Sequence, residues 1–348
     1  MVVLLHAYFS APPSALRSEE IGLRVIHLFA HAAVPIFFFA SAYLLAREPD
    51  RGTRAWWRAR ATRIFLPACI WMAATFAYRA VHLNEPIATL WRPLFEFNIS
   101  GQYYFIADLA IFFALFSAVR LRRGRPLAAL LVVAFVATAL TLLWYETHVP
   151  RGAGAVAPYR NPLTWLAFAA TGYAAAVRQP DLRWTARWRF LALAGMAASG
   201  AAYFIQGEAF NRYPASYFSL AQLAFTSCAI VALLGFLQNG RAAAAVLHPF
   251  RVLSDYSLGI YFIHMPFFIG YANEWIEPRT EFDDRYLPWV ATRAAIGLGG
   301  SFAVIWLCRR VSPPIAAVLF GVRGRRGGTP RLRGMVRRRS PSSPRAAR

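Results

Sequence analysis

Residues 34–46 read VPIFFFASAYLLA and residues 64–74 read IFLPACIWMAA; neither stretch holds a charge, and the residues joining them carry six arginines, Arg47, Arg51, Arg54, Arg58, Arg60 and Arg63. Water-soluble domains seldom set six cations between two uncharged apolar runs. A hairpin of membrane helices does, because arginine near a helix end reaches its guanidinium to the headgroups and short cytoplasmic loops collect positive charge. The stretch assigns the chain to the polytopic membrane proteins. It also poses the functional question of whether the arginine loop only orients the chain or also holds an anionic substrate.

Composition agrees. Of 348 residues, 58% are hydrophobic, 16% aromatic and only 16% charged, which excludes the soluble classes. The 38 basic residues are all arginine, and with the excess of alanine they point to a GC-rich bacterial genome. A net charge of +22 raises the question of nucleic acid. The arginines lie in short loops between apolar runs, not on a folded basic surface, so no nucleic-acid partner is expected. Cys69, Cys228 and Cys308 each sit in an apolar run without CxxC spacing and read as small packing residues.

Working outward, apolar spans are predicted at 21–46, 64–81, 103–119, 126–144, 162–177, 190–205, 217–237, 252–271 and 288–307, with an apolar stub to residue 320. Residues 1–9, MVVLLHAYF, rise only about 14 Å as a helix, roughly half of a hydrocarbon core. They are expected to be the outer half of a first span whose start lies upstream. The predicted fold is all-α, a polytopic bundle of about ten transmembrane helices over residues 1–320, followed by a disordered arginine-rich cytoplasmic tail over 321–348.

The loops support this order. Segments 47–63, 120–125, 178–189 and 239–251, together with everything from Arg309, hold 28 of the 38 arginines. The opposite side carries Glu274, Glu277, Glu281, Asp283 and Asp284 in one loop. Ten spans with both termini cytoplasmic satisfy the positive-inside rule at every loop, and the expected location is the bacterial cytoplasmic (inner) membrane.

Ionisable residues inside spans are costly and mark candidate sites. They are His6, the His27 and His31 pair one turn apart, Asp108, Asp255 and His264. A neutral imidazole in a water-accessible cavity can accept a hydroxyl proton; the competing reading is a hydrogen bond to a neighbouring helix. His27 and His31 lack the Glu of HExxH and a third ligand, so no metal site is expected. No GxSxG, Walker or GxGxxG motif is present, which leaves serine chemistry and nucleotide hydrolysis without support. Arg60 and Arg63, one helical turn apart, can converge on a phosphate or pyrophosphate, with Trp56 and Trp57 as stacking faces.

Three segments together resemble the membrane acyltransferase-3 family, bacterial enzymes that O-acylate surface glycans and related acceptors. Residues 34–45, VPIFFFASAYLL, are similar to that family's VPxFFxxSGYLL, with Ala42 in place of the usual Gly. Arg60-Ala61-Thr62-Arg63 with Pro67 downstream resembles its RxxR motif, and residues 256–266, YSLGIYFIHMP, resemble its SYxxYLxHxP stretch. Residues 2–7, VVLLHA, are similar to the end of its first helix, where an Arg precedes a catalytic His by eleven positions; here Met1 is only five before His6.

The resemblance implies an acyltransferase that moves an acyl group, acetyl in the first instance, from cytoplasmic acyl-CoA to a hydroxyl of a cell-surface polysaccharide or lipid-linked sugar, with no permanently bound cofactor. It implies His6 as general base and Arg60 and Arg63 as holders of the donor's phosphates. Ser257, Tyr261 and His264 would shape the cavity. The competing classes are a transporter or flippase of a glycan intermediate and a non-catalytic scaffold of a polysaccharide assembly system.

Overall fold

The structure, a computed structural model, describes residues 2–8, 17–48, 53–119, 125–148, 159–178, 184–209, 219–237, 253–276 and 286–322. Among the described residues there are helices and no strands. The helices are α1 (Val2–Tyr8), α2 (Arg17–His31), α3 (Ala33–Arg47), α4 (Thr53–Arg60), α5 (Leu66–Val81), α6 (Ile87–Phe95) and α7 (Tyr104–Val119). They continue as α8 (Arg125–His148), α9 (Leu166–Arg178), α10 (Trp184–Ala209), α11 (Leu220–Leu237), α12 (Ser257–Ile263), α13 (Tyr286–Val311) and α14 (Pro313–Phe320). Three wide π turns interrupt them, at Ala61–Phe65, His264–Ile269 and Ala272–Ile276.

Among the described residues, six continuous stretches are long and apolar enough to cross a membrane: Arg24–Arg47, Thr53–Val81, Pro126–His148, Trp184–Ile205, Leu220–Leu237 and Leu287–Val311. Tyr104–Ser117 is apolar but shorter. Their outward residues are as apolar as their inward ones: Val132 and Val133 of α8 and Phe190 and Leu191 of α10 are each more than 60% exposed. Such faces need lipid, and helices there associate through close packing and interhelical hydrogen bonds instead of water expulsion. Glycine supplies that packing. A side chain at Gly172 of α9 would strike the Phe39 carbonyl of α3, and α3 with α9 is among the two most extensive helix pairings, the other being α10 with α11.

Three differences from the sequence reading have physical causes. The arginine stretch is mostly helix: α4 runs through the Ala61–Phe65 turn into α5, because Ala, Trp and Arg are acceptable helix formers and nothing between Thr53 and Leu66 breaks the chain. An extra amphipathic helix, α6, follows the second hairpin arm, with Leu90 inward and Phe95 outward. The stretch predicted as one span at 252–271 holds α12 and the His264–Ile269 π turn, and a further π turn, Ala272–Ile276, follows it. The expected tail, 321–348, lies outside the described residues beyond Val322.

Proline accounts for the irregular turns. Having no N–H, Pro35, Pro67 and Pro266 offer no amide to the carbonyls of His31, Arg63 and Phe262, four residues earlier. Around them the chain bends at Ala32, where the Ala32 N–H turns back to Phe29 (3.2 Å), and widens at the first two π turns. Two of those carbonyls meet other groups. The Arg63 carbonyl abuts Gly321, whose positive φ of 66° ends α14 and whose missing side chain permits the approach. The Phe262 carbonyl accepts from the Tyr103 hydroxyl at 2.9 Å and from Gln102 Nε2 at 3.5 Å.

Candidate active site

The second π turn places the site. His264 opens it at 0% exposure, and its Nδ1–H donates to the Ile260 carbonyl at 2.8 Å. That bond fixes the tautomer, leaving Nε2 as an acceptor with no partner among the described residues. The His6 ring of α1 lies 5.2 Å from it, centroid to centroid, so residues 258 positions apart in sequence form one imidazole pair. α1 can approach so closely because Gly297 of α13 faces it. A side chain there would fall 2.9 Å from Val3 Cγ1 and 3.1 Å from Ile269 Cγ1.

The floor beneath the pair is polar and hydrogen-bonded. Tyr261, buried, donates its hydroxyl to the Gln102 carbonyl, and its ring stands 6.2 Å from that of His264. Tyr103, at 0% exposure, bridges the Phe262 carbonyl and Thr75 Oγ1, 3.3 Å away. Gln102, Tyr103 and Thr75 were not singled out from sequence, because nothing local distinguishes a Tyr or Thr that ties a carbonyl from one that packs. Their signal was Pro266, which guaranteed a carbonyl in need of a donor. Ser257 does not join this group: its hydroxyl donates to the Ser254 carbonyl at 2.9 Å, a full seven residues before His264.

The arginine end lies along α5. From Arg63 to Thr75, which touches the floor through Tyr103, twelve helical residues rise about 18 Å. Arg60 is turned inward, its side chain 12% exposed, paired with Glu48 and stacked 4.4 Å over the Trp56 ring. Arg63 is exposed. The Ala61–Phe65 π turn winds more slowly than an α-helix and so splays the two side chains apart, instead of stacking them one turn above another.

At the other end Glu274 accepts from the Tyr78 hydroxyl at 2.9 Å and lies 3.2 Å from His82 Nε2. Phe267 packs edge-on against both neighbours, its ring 5.7 Å from that of Tyr78 and 5.3 Å from that of Trp71. Near it Arg79 clasps Glu85 through Nε (2.8 Å) and Nη2 (2.6 Å), and these bonds hold the Glu85 carboxyl below its usual range. His27 and His31 form a second buried imidazole pair, rings 3.7 Å apart, with His27 Nδ1 2.9 Å from the Tyr203 hydroxyl. Among the described residues no three His, Cys, Asp or Glu side chains meet closely enough to hold a metal ion.

Comparison with known proteins yields one match. A family model described as an acyltransferase domain, that of the acyltransferase-3 family, fits residues 1–310. Searches of curated proteins and of solved structures return no match. With the all-helical membrane architecture and a family match over most of its length, the chain belongs to the acyltransferase-3 family and is a multi-pass membrane acyltransferase.

Proposed function

We propose that this acyltransferase carries an acyl group, acetyl in the first instance, from cytoplasmic acyl-CoA to a hydroxyl of a cell-surface polysaccharide or lipid-linked sugar. The observation that carries the reading is the meeting of His6 with His264 in the bundle interior, with Arg63 about 18 Å of helix rise from Thr75, the α5 residue that touches Tyr103 in the floor of the site. That separation equals about five extended residues at 3.3–3.6 Å each, the scale of the pantetheine arm of coenzyme A. Phosphates held at the arginine end in the cytoplasmic headgroup layer would thus deliver a thioester to the imidazoles, while a sugar enters from the end that carries Glu274.

The chemistry follows from the tautomers. His6 accepts the proton of the acceptor hydroxyl as its oxygen bonds the acyl carbon, and the C–S electron pair leaves on the thiolate. His6 then returns the proton to that thiolate. General-base assistance of this kind is worth about 10²–10⁴ in rate. His264, its Nδ1–H committed to Ile260, presents Nε2 to orient either the His6 ring or the incoming hydroxyl. Arg63, exposed at the mouth, is the first contact for the donor's phosphates, and Arg60 joins once Glu48 releases it.

The test is membranes or nanodiscs given acetyl-CoA labelled in the acetyl group, with covalent label in glycan as the readout. The wild type leaves label, and His6→Ala leaves none at equal expression. Label at wild-type level in His6→Ala removes His6 from the mechanism. Movement of unlabelled glycan without any transfer identifies a transporter instead, and neither outcome identifies a scaffold.

A further inference from the structure

The mechanism above makes no use of the second imidazole pair. Beside His31 a cleft with room for about one water molecule opens between the α2–α3 bend, α8, the start of α9 and α11. Its polar lining is His31, Gln222, Thr226 and Thr164; Leu142 and Phe168 close it. Gln222 is 3% exposed. Its Nε2 donates to the Leu28 carbonyl (3.3 Å) and to Thr226 Oγ1 (3.2 Å), so the remaining amide atom, Oε1, is an acceptor, and it has no partner among the described residues. A buried acceptor left so costs about 1–3 kcal/mol, and a cleft that is polar and water-sized satisfies it with water.

His31 also connects to the catalytic side. α1 packs on α2, which sets His6 and His31 on neighbouring helices, and the His27 ring lies 3.7 Å from that of His31. Among the described residues, the titratable groups on the helices around His31 include His27 on its own helix and His6 on α1. Tyr203 stands beyond His27, and Asp108 stands behind Trp165. α8, α9 and α11 contribute none to the cleft lining.

We propose that the cleft is a water site, and that His31, linked through this water to Gln222 and by ring contact to His27, is the proton-relay partner of His6. The water site stands on the geometry alone; the relay rests on the acyl-transfer reading. As the acceptor O–H breaks and the C–O bond forms, the proton taken by His6 passes to His31 and its water. When the C–S bond has broken, the proton returns by the same route to the thiolate, so turnover neither releases nor consumes a proton. His31 acts through His6 and is a positioning residue.

The experiment uses the full chain, labelled with ¹⁵N-histidine, in nanodiscs of phosphatidylethanolamine and phosphatidylglycerol. Solid-state NMR reads magnetisation passed from immobilised water to imidazole nitrogen, with the His31 signal identified by its loss in His31→Asn. The wild-type His31 signal receives that transfer. Gln222→Met, which removes the acceptor at similar volume, abolishes it, and so does Leu142→Phe, which fills the cleft without touching its polar groups. A wild-type His31 without water contact overturns the site, as does contact that persists in both variants. In acetyl-CoA turnover, His31→Asn lowers kcat on the order of tenfold at unchanged KM, the size usual for a residue acting through another. It also shrinks the solvent deuterium isotope effect. Unchanged kcat and isotope effect overturn the relay. If the wild type itself transfers no acetyl group, the acyl-transfer reading and the relay fall together, while the NMR result still decides the water site.

Discussion

Replacing Tyr103 with Phe tests how the floor of the site is held. The Tyr103 hydroxyl supplies the 2.9 Å bond to the Phe262 carbonyl, the group to which Pro266 offers no amide, and it also touches Thr75. Without it the carbonyl keeps only the long Gln102 contact at 3.5 Å. An interhelical hydrogen bond inside a membrane is worth about 0.6 kcal/mol on average and up to about 1.7. A buried carbonyl left without a donor adds about 1–3 kcal/mol. We expect Tyr103→Phe to destabilise by about 1–2 kcal/mol, near tenfold in the unfolding equilibrium, read by reversible SDS unfolding in mixed micelles. The decisive arm is Pro266→Ala, which gives residue 266 an N–H for the same carbonyl. In that background Tyr103→Phe should cost only about 0.5 kcal/mol, a coupling of about 1 kcal/mol between residues on different helices. If the two changes add, with the cost of Tyr103→Phe the same in both backgrounds, the explanation of the second π turn by the missing proline amide is refuted.

Other perturbations follow from the same geometry. Glu48→Gln releases Arg60 from its ion pair and should lower KM for acetyl-CoA by up to about fivefold, because pairs at a solvent-facing mouth are worth about 0–1 kcal/mol; an unchanged KM in both Glu48→Gln and Arg60→Ala would leave Arg60 with a structural role alone. Gly172→Ala forces α3 from α9 at the Phe39 carbonyl and should cost about 1–3 kcal/mol in the same SDS assay, with Gly299→Ala, where a side chain meets nothing within 4 Å, as the harmless control. Because the Arg79 bonds depress the Glu85 carboxyl in the folded state, their contribution is fully present above the ordinary glutamate range and is lost as pH falls through the depressed folded value. An Arg79→Gln variant should therefore show less loss of stability on acidification than the wild type, and identical acid profiles would show that the pair contributes nothing.

The membrane class and the helical bundle were legible in the sequence because a run of twenty apolar residues has few other uses, and arginine asymmetry ordered the loops. What the hydropathy pattern concealed were departures from ideal winding. α4 continues through the arginine stretch since charge alone does not end a helix, and the 252–271 segment widens into a π turn at His264–Ile269 because Pro266 removes one amide while Tyr103 and Gln102, far away in sequence, compensate. The imidazole pair was legible only through the family resemblance, as no spacing rule links His6 to His264. Arg60 is legible from its spacing to Arg63, yet its partner Glu48, twelve residues before it at the end of α3, carries no spacing signal. Ser257 was placed in the cavity by its motif, but a short hydroxyl readily bonds a carbonyl within its own turn, and this one does.

The three prolines have a consequence beyond local geometry. Pro35, Pro67 and Pro266 each leave a main-chain oxygen without its helical amide and add no oxygen to a side chain, so a segment as greasy as IYFIHMPFFI presents a polar group that must find its partner elsewhere in the bundle. A hydropathy plot cannot register such groups. In this bundle they fall beside the cleft, at the arginine mouth and under the histidine pair, so three of the 22 prolines lie where the chemistry is placed.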